Sequence, residues 1–250
     1  MTALAEAAII DIGVVRVLLA LLMFGSATYF DLRKREVSDF LWIPFVAMAA
    51  ILYVFDFPSN LNEGIFVIVS MAVTAAIAYG IYRAGLFGGA DMLALITFSA
   101  IMPIFEGTIL SGQTHLALHT LAPIIVLTNA VIFSLAHVIF NIARNLVYYS
   151  RQSGALFDGF EQESAAKKLF AIIVGHRSAN PQFAFPIEKT VNGRREFDFA
   201  LRNAETADYE ERKDVWVTSG IPFLVYFTAG FLMMIFIGDI FAIFFGVLYH

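Results

Sequence analysis

The sequence contains no cysteine, which excludes a disulfide framework, a cysteine-based metal site and a cysteine nucleophile. Charged residues are also scarce, at 15% of the 250 positions, and the formal net charge is -5. A chain with this charge offers no basic face to nucleic acid, so we expect no nucleic-acid partner. Apolar residues fill the sequence instead: 59% are hydrophobic and the mean hydropathy is +0.76. Soluble domains are about 45 to 50% apolar, so the composition predicts a membrane protein.

Long apolar runs separated by short polar breaks predict an all-α polytopic membrane protein with six transmembrane helices. A spanning helix needs about 20 apolar residues, and most of the runs are long enough. They extend over approximately 9–30, 40–57, 65–84, 92–110, 116–147 and 217–248. The fourth run is the exception, because its clean apolar stretch stops near Phe105 and is followed by Glu106 and Gly107. We expect this helix to be short, broken or tilted, which is tolerated where protein or water lines it.

The basic residues determine the expected orientation of these helices. If the first, third and fifth run from outside to inside, every Lys and Arg except Arg16 falls on the cytoplasmic side, in agreement with the positive-inside rule. The N-terminus and the C-terminus then lie outside the cell membrane. Arg16 falls within the first span, and we expect its side chain to extend to the outer headgroups.

A small α+β cytoplasmic domain is predicted between helices five and six. Its residues, 150–216, carry ten Lys or Arg against eleven Asp or Glu, in contrast to the apolar runs on either side. Ser164 to Val174 has the pattern of an amphipathic helix, and Gln182 to Leu201 that of a β-hairpin with Asn192-Gly193 at the turn. The predicted division is therefore 1–149 with transmembrane helices one to five, 150–216 as the cytoplasmic domain, and 217–250 as the sixth transmembrane helix.

Two aspartates stand where hydrophobic segments meet the expected cytoplasmic face. Asp31 ends the first span and Asp91 opens the fourth, which puts both at one membrane depth. A carboxylate at such a boundary costs solvation free energy, so a pair of them is a candidate for acid/base chemistry. Each also has a simpler interpretation: Asp91 suits a helix N-cap, and Asp31 suits a boundary acid whose charge Arg33 to Arg35 offset in part.

Small residues lead into Asp91, in the string Gly88-Gly89-Ala90-Asp91. They remove side-chain bulk beside the carboxylate, which would let an extended backbone approach it closely. A tight turn between helices, following Gly85, is the alternative interpretation. The string indicates function only in combination with Asp31.

Two segments of the sequence together resemble the archaeal preflagellin and type IV prepilin peptidases. They are Asp31-Leu-Arg-Lys-Arg-Glu-Val-Ser-Asp39 and Gly88-Gly89-Ala90-Asp91. These peptidases are membrane aspartyl proteases of the GxGD class. Ser219-Gly220-Ile221-Pro222-Phe223 also resembles a segment at the start of the last span in archaeal members. Ala90 departs from the pattern, standing where GxGD names its second glycine, and we interpret it as a variant. The resemblance covers the membrane portion and implies six spans with Asp31 and Asp91 as the catalytic pair.

That resemblance also implies a mechanism. Two nearby carboxylates do not easily ionise together, so they share a proton; one acts as a base toward water and the other as an acid toward the scissile carbonyl. Neither a metal nor another cofactor is needed. No methyltransferase motif is evident, so methylation of the new N-terminus is not implied.

The implied substrate is a preflagellin or prepilin precursor whose short basic leader precedes an apolar helix, with cleavage at the cytoplasmic boundary of the lipid bilayer. Glu36 and Asp39 are positioned to attract the Lys and Arg of the leader; the alternative is a solvated loop whose acids balance Arg33 to Arg35. The candidates for the substrate groove are Gly88, Gly89, Ala90, Glu36, Asp39, Gly220 and Pro222.

Two other functions compete with the protease. An ion-coupled transporter would use Asp31 and Asp91 as an H⁺ or Na⁺ site beside a broken fourth helix, but both acids lie at the membrane edge and not at its midplane. A membrane scaffold whose cytoplasmic domain recruits partners would leave the paired acids unexplained. His115 and His119 have an i, i+4 spacing that suits a metal on a helix, although no acid accompanies them.

Polar residues within the fifth and sixth spans have structural interpretations. We expect them to form hydrogen bonds with one another or with the backbone of neighbouring helices, except for Asp239, which we place at the outer boundary of the last span. The residues of the fifth span are Asn129, His137, Asn141 and Asn145.

Overall fold

The structure is a computed structural model that describes residues 12–58, 60–105, 107–108, 119–151, 156–182, 184–199, 210, 212–219 and 223–248. The described residues are mostly helical and belong to two compact units. We call Met1–Phe133 with Pro222–His250 the helical unit, and Ser134–Ile221 the α+β unit.

In chain order the elements are α1 (Ile12–Lys34), a 3₁₀ turn (Asp39–Leu41), α2 (Trp42–Phe55), α3 (Leu61–Arg83), α4 (Gly89–Ile101), α5 (Ala122–Arg151), α6 (Ala165–Val174), β1 (His176–Ser178), β2 (Ala184–Pro186), β3 (Glu188–Val191), β4 (Arg194–Phe197), β5 (Val215–Ser219), α7 (Phe223–Phe236) and α8 (Ile240–Leu248). Within the described residues, three helices are long and apolar enough to cross a membrane: α1, α3 and α5. Shorter apolar helices cover Asp39–Phe55, Gly89–Ile101 and Phe223–Phe236. The chain is therefore a mostly helical membrane protein.

The short helix α4 lies at the centre of the helical unit. It packs against α1, α2, α3 and α7, and Leu95, Phe98 and Ile101 on it are fully buried. The helix ends at Ile101, well before the predicted end near Leu110, because the residue before a proline is disfavoured in helical conformation. Met102, which precedes Pro103, has φ -140° and ψ 82°. The expectation of a short fourth helix is thus confirmed, and protein packs against it.

The last apolar segment differs from the single span predicted over 217–248. Its first residues form strand β5, because Val215–Ser219 is a β-branched and aromatic stretch that pairs with two other strands. The helical part is then interrupted after α7, where Gly238 has a positive φ of 116°. Asp239 is 1% exposed and accepts a hydrogen bond from the N–H of Phe241 at 2.9 Å, so it supports the start of α8. Its place at the outer membrane boundary stays a prediction.

The side chain of Asn129 on α5 forms hydrogen bonds with backbone groups at this interruption. Its Nδ2 donates to the carbonyl oxygen of Gly238 at 3.0 Å, and its Oδ1 accepts from the N–H of Ile240 at 3.0 Å. The predicted role of Asn129 in bonding to the backbone of a neighbouring helix is confirmed. The contact also explains how a break between α7 and α8 is tolerated among apolar helices.

The α+β unit contains a three-stranded antiparallel sheet in the order β1-β5-β2 and a separate hairpin of β3 and β4. The predicted turn of the hairpin is confirmed, since Asn192 and Gly193 have φ of 52° and 79°, as a two-residue type I′ loop requires. The predicted amphipathic helix corresponds to α6, and the Ser164 hydroxyl accepts from the N–H of Lys167 at its start. The hairpin is shorter than predicted, because Ala184–Pro186 pairs with β5 instead.

The C-terminal part of α5 is joined to β1 by asparagine side chains. Asn145 donates to the carbonyl oxygen of Gly175 at 2.9 Å and accepts from the N–H of Arg177 at 3.0 Å. Asn141 donates to the carbonyl oxygen of Ile173 at 3.1 Å. Both therefore bond to backbone, as predicted for the polar residues of this span; the Nε2 of His137 has no hydrogen-bond partner within the described residues.

Candidate active site

Asp31 lies in the last turn of α1, three residues before the helix ends at Lys34. It is partly buried, and no donor among the described residues forms a hydrogen bond with its carboxylate. A carboxylate near a helix C-terminus opposes the helix dipole, so its position has no stabilising role in ending the helix. Its oxygens are accordingly available to water or a ligand.

Asp91 is the third residue of α4, and its carboxylate supports the start of the helix. Oδ2 accepts a hydrogen bond from the N–H of Gly88 at 3.0 Å. The N-cap residue is Gly88, so the interpretation of Asp91 as the N-cap is wrong in position, although its side chain does satisfy one of the unpaired N–H groups at the helix start. This bond holds one oxygen of the carboxylate in place.

Two contacts establish how α1 and α4 run past each other. The rings of Phe24 on α1 and Phe98 on α4 are 5.2 Å apart at their centroids. Toward the opposite end of the pair, Arg16 on α1 binds the carbonyl oxygen of Ile101 on α4. Moving toward the N-terminus of α1 therefore corresponds to moving toward the C-terminus of α4, so the two helices are antiparallel.

This register brings Asp31 and Asp91 to the same end of the helix pair. Asp31 follows Phe24 by seven residues, and Asp91 precedes Phe98 by seven residues. At 1.5 Å per residue each aspartate lies about 10 Å from its phenylalanine along the axis, in the same direction.

Helix α7 holds the two aspartate-bearing helices together. Phe227 and Phe231 on α7 are fully buried beside Phe24, and Phe231 also contacts Phe98 with ring centroids 5.4 Å apart. Sequence composition indicates only that phenylalanine is abundant. It does not show that these particular rings form one cluster between three helices.

A pair of threonines adds a polar contact between α1 and α7 close to the site. The hydroxyl of Thr28, one turn before Asp31, lies 2.7 Å from the hydroxyl of Thr228 and 3.0 Å from the carbonyl oxygen of Leu224. We infer that this contact limits rotation of the last turns of α1. Sequence reasoning missed both threonines, which are about 200 residues apart and carry no local motif.

Arg16 has a role that differs from the predicted one. It is 7% exposed, and its Nη1 donates to the carbonyl oxygen of Ile101 at 2.6 Å. Its Nη2 lies 3.5 Å from Oδ2 of Asp56, and its guanidinium lies 4.6 Å from the ring centre of Tyr53. The expectation that Arg16 extends to lipid headgroups is therefore wrong, because the unpaired carbonyl at the end of α4 and an acid provide partners inside the protein.

The small residues before Asp91 form the start of α4. Gly88 is its N-cap, with φ -74° and ψ 166°, and Gly89 and Ala90 begin its first turn. A Cβ at Gly88 would lie 3.5 Å from Oδ2 of Asp91, an ordinary van der Waals distance. Neither φ nor space requires glycine at this position for folding. The turn after α3 uses Gly85 instead, whose φ is 74°.

The other candidate residues are placed as follows. Glu36 and Asp39 are exposed in the loop between α1 and α2, and within the described part of the chain neither forms an ion pair. Gly220 and Pro222 lie outside the described residues, as does His115. The ring nitrogen Nδ1 of His119 accepts from the N–H of Leu121 at 3.2 Å, which gives this histidine a local structural role.

The arrangement provides two partly buried carboxylates at one end of a tightly packed group of three helices. One oxygen of Asp91 is held by backbone, and the carboxylate of Asp31 has no protein hydrogen bond among the described residues. Such a pair can hold one proton between its members and exchange it with a bound water or carbonyl group.

Comparison with known proteins gives two family matches. Residues 17–140, which include both aspartates, match the family described as the type IV leader peptidase family. Residues 166–240 match the family described as archaeal peptidase A24 C-terminus type II.

Two curated relatives are similar over most of their length. The chain is 25% identical over 221 residues to a preflagellin peptidase of Methanococcus maripaludis, a region that covers 84% of this chain and 89% of the relative. It is 25% identical over 226 residues to a preflagellin peptidase of Methanocaldococcus jannaschii, covering 85% of this chain and 89% of the relative.

Proposed function

We propose that this chain, which belongs to the type IV leader peptidase family, is a membrane aspartyl endopeptidase that removes the short basic leader of preflagellins or type IV prepilins. The observation that supports an aspartyl mechanism is the register of α1 and α4. The contacts of Phe24 with Phe98 and of Arg16 with Ile101 bring two carboxylates to one end of an antiparallel pair.

Asp31 and Asp91 act as the catalytic pair, with one proton between them. The unprotonated carboxylate removes a proton from water as the water oxygen attacks the scissile carbonyl carbon, and the protonated carboxyl gives its proton to the carbonyl oxygen. The tetrahedral intermediate then collapses, its C–N bond breaks, and the leaving amine takes a proton from the pair. The products are a free carboxyl terminus on the leader and a free amino terminus on the pilin.

The proposed topology places this chemistry at the cytoplasmic face. The chain crosses the bilayer six times, with both termini outside, and α4 crosses it as a short helix in contact with protein. Residues 150–216 then lie in the cytoplasm. A precursor held in the same bilayer presents its leader junction at the depth of Asp31 and Asp91.

Residues around the pair are proposed to bind the precursor. Gly88, Gly89 and Ala90 leave room for an extended substrate backbone beside Asp91, and the exposed acids Glu36 and Asp39 attract the basic leader. Gly220 and Pro222 are kept as groove candidates on the family resemblance of their segment.

The protease is favoured over the ion-coupled transporter by the matches themselves. Both matched families and both relatives are peptidases. A transporter also requires its ion site near the middle of the bilayer, whereas Asp31 lies in the last turn of α1 and Asp91 in the first turn of α4.

The test is co-expression of the full chain with a precursor that carries a basic leader. Asp31→Asn and Asp91→Asn should each abolish processing, because one neutral amide prevents the pair from holding a shared proton. The amides preserve shape, so both variants should accumulate in the membrane at the level of the wild type. Asp158→Asn, a change of the same type at an exposed position in the α+β unit, should process normally.

Continued processing by either active-site variant would overturn the assignment of that residue. An uncut precursor with the wild type, under conditions where a known preflagellin peptidase cuts it, would overturn the proposed activity.

A further inference from the structure

The α+β unit contains a cavity of about 600 Å³ between the last turns of α5 and the end of β1. Binding pockets for small organic groups typically enclose about 300 to 1,000 Å³. The cavity is lined by Phe140, Ala143, Arg144, Val147, Tyr148, Arg151, Arg177, Ser178, Ala179 and Asn180. None of these residues belongs to the proposed active site, which lies in the helical unit.

The lining is cationic: among the residues that the structure describes, three arginines line the cavity and no aspartate or glutamate does. One of the three, Arg177, is already neutralised, since it donates to both carboxylate oxygens of Asp214 at 2.8 and 2.7 Å. Its Nη1 also donates to the carbonyl oxygen of Leu156 at 2.9 Å. Arg177 therefore builds the wall of the cavity, and its own charge is compensated by the protein.

Arg144 and Arg151 supply the rest of the positive charge. Both are exposed, and among the residues that the structure describes neither forms an ion pair with an acid. The guanidinium of Arg144 lies over the ring of Phe140, 5.4 Å from its centre. Two cations beside an apolar floor favour an anionic group that also carries apolar surface.

The positions on α5 bring these side chains to one face. Phe140, Arg144, Val147 and Arg151 follow one another at intervals of four, three and four residues, the spacing of neighbours along one side of a helix. Arg144 and Arg151 are about 10 Å apart along the helix axis. Arginine side chains are long and flexible enough to converge on one group across that distance.

The location on α5 indicates where the ligand comes from. The helix has 30 residues and is long and apolar enough to cross a membrane, whereas about 20 residues suffice to span the hydrocarbon core. Arg144 and Arg151 lie in the last third, where a spanning helix leaves the hydrocarbon region. Ile142, Leu146 and Tyr149 remain exposed in the same stretch, as expected for a segment at the depth of lipid headgroups.

We propose that this cavity binds the phosphate headgroup of an anionic membrane phospholipid. Arg144 and Arg151 bind the phosphate, and Phe140 and Val147 contact the adjacent glycerol and the first methylene groups of the acyl chains. The sign of the charge rules out the basic leader of the substrate as the occupant. The inference is independent of the proposed peptidase activity and would stand if that activity were wrong.

The test is a titration of the purified full chain in non-ionic detergent, followed by native mass spectrometry. The probes are short-chain phosphatidylglycerol, short-chain phosphatidylcholine and inorganic phosphate. Phosphatidylglycerol should bind with one-to-one stoichiometry and about tenfold more tightly than phosphatidylcholine. The double variant Arg144→Gln/Arg151→Gln should lose about tenfold in that affinity, because each charge-assisted hydrogen bond contributes measurably to binding.

A matched control is Lys189→Gln/Arg194→Gln, which removes two exposed positive charges from the β3–β4 hairpin and should bind phosphatidylglycerol like the wild type. The stacked pair of Phe157 and Trp216 provides a near-ultraviolet circular dichroism signal that reports whether each variant is folded.

An equal loss of affinity for phosphatidylglycerol in the control variant would overturn the site, because general surface charge would then account for the binding. Equal binding of phosphatidylcholine by the wild type would overturn the anionic selectivity. Competition by inorganic phosphate at the same concentration as the lipid would overturn the phospholipid as the ligand, and it would do so even if the double variant did not fold.

Discussion

Arg16 and Ile101, 85 positions apart in the sequence, are joined by a hydrogen bond of 2.6 Å from Nη1 to the backbone carbonyl oxygen. The bond lies between the N-terminal part of α1 and the last residue of α4, at the end of the helix pair away from Asp31 and Asp91. The last carbonyl groups of a helix have no partner within it, and an arginine there also interacts favourably with the helix dipole. One buried side chain thus links the ends of the two helices that carry the proposed catalytic pair.

Replacing this arginine should destabilise the helical unit. Arg16→Leu removes a charged hydrogen bond and leaves the Ile101 carbonyl buried without a donor, which costs about 2 kcal/mol or more. Thermal unfolding in detergent should show a clear decrease in Tm, and Arg16→Lys should recover part of it by retaining one cationic donor. Arg83→Leu, the same change at an exposed position in the last turn of α3, serves as the control. A Tm for Arg16→Leu equal to that of Arg83→Leu would refute a stabilising role.

Local sequence pattern was sufficient for features that depend on neighbouring residues. The hairpin turn at Asn192-Gly193 was predictable because two consecutive residues must tolerate positive φ. Helix α6 was predictable from the amphipathic pattern of Ser164 to Val174, and the short α4 from the polar residues that follow its apolar run. The locations of Asp31 near the end of α1 and Asp91 near the start of α4 followed from the same runs.

Features that depend on distant partners were not predictable from one sequence. The predicted position of Arg16 at the headgroups is wrong because its partners, Ile101 and Asp56, are distant along the chain. The break at Gly238 was missed for a similar reason: its polar groups are satisfied by Asn129, 109 positions away. Hydropathy alone therefore predicts one span where the structure has a strand followed by two helices.

Gly88 offers a test of the space beside Asp91. Gly88→Ala should fold normally, since φ is -74° and the new methyl would lie 3.5 Å from Asp91 Oδ2; stability should change by less than about 0.5 kcal/mol. The methyl nevertheless occupies the space proposed for the substrate backbone, and displacement of a substrate by even 1 Å is costly to catalysis. The kcat/KM for a precursor peptide should therefore fall about tenfold or more.

A suitable control for Gly88→Ala is Gly25→Ala on α1, where a Cβ would meet nothing within 4 Å. Its kcat/KM should remain at the wild-type value. Normal cleavage by a folded Gly88→Ala variant would argue against a substrate backbone passing this glycine.

Gly230 is required for close packing of α7 against α5. A Cβ at this position would lie 2.6 Å from the carbonyl oxygen of Val126 and 2.9 Å from the backbone nitrogen of Ala130. Because backbone atoms cannot move aside as a side chain can, Gly230→Ala should destabilise the helical unit by about 1 to 3 kcal/mol. The measurement is thermal unfolding in detergent beside Gly80→Ala, which has open space around it and should be neutral or slightly stabilising. Equal Tm values for the two variants would contradict this packing.

His176 should make the stability of the α+β unit depend on pH. Burial, together with the positive charge of Arg144, lowers the pKa of His176 from 6.5 to about 4. Between these values the unfolded chain binds a proton that the folded unit does not, so the free energy of unfolding decreases as the pH falls from 6.5 toward 4. Because one proton is involved, the free energy of unfolding should change by at most about 1.4 kcal/mol per pH unit.

The measurement for His176 is amide hydrogen exchange of β1 and β5, corrected for intrinsic rates, at several pH values between 4 and 7. His176→Phe keeps an aromatic ring near Phe140 but cannot titrate, so its stability should vary less with pH than that of the wild type. The same slope in both proteins would show that other groups cause the dependence.

The exposed acids Glu36 and Asp39 should affect recognition of the basic leader without affecting the chemical step. Surface charge pairs contribute about 0.2 to 1 kcal/mol each, so Glu36→Lys/Asp39→Lys should raise KM for a basic-leader precursor by about tenfold at low salt, with little change in kcat. The difference in KM should shrink at high ionic strength, because salt screens exposed charges, and a precursor with a neutral leader should show no difference at all.

The control for this double variant is Glu63→Lys, a charge reversal at an exposed position in the first turn of α3. An unchanged KM at low salt would show that Glu36 and Asp39 take no part in leader binding. A decrease confined to kcat would instead indicate that the charge reversal affects the catalytic pair.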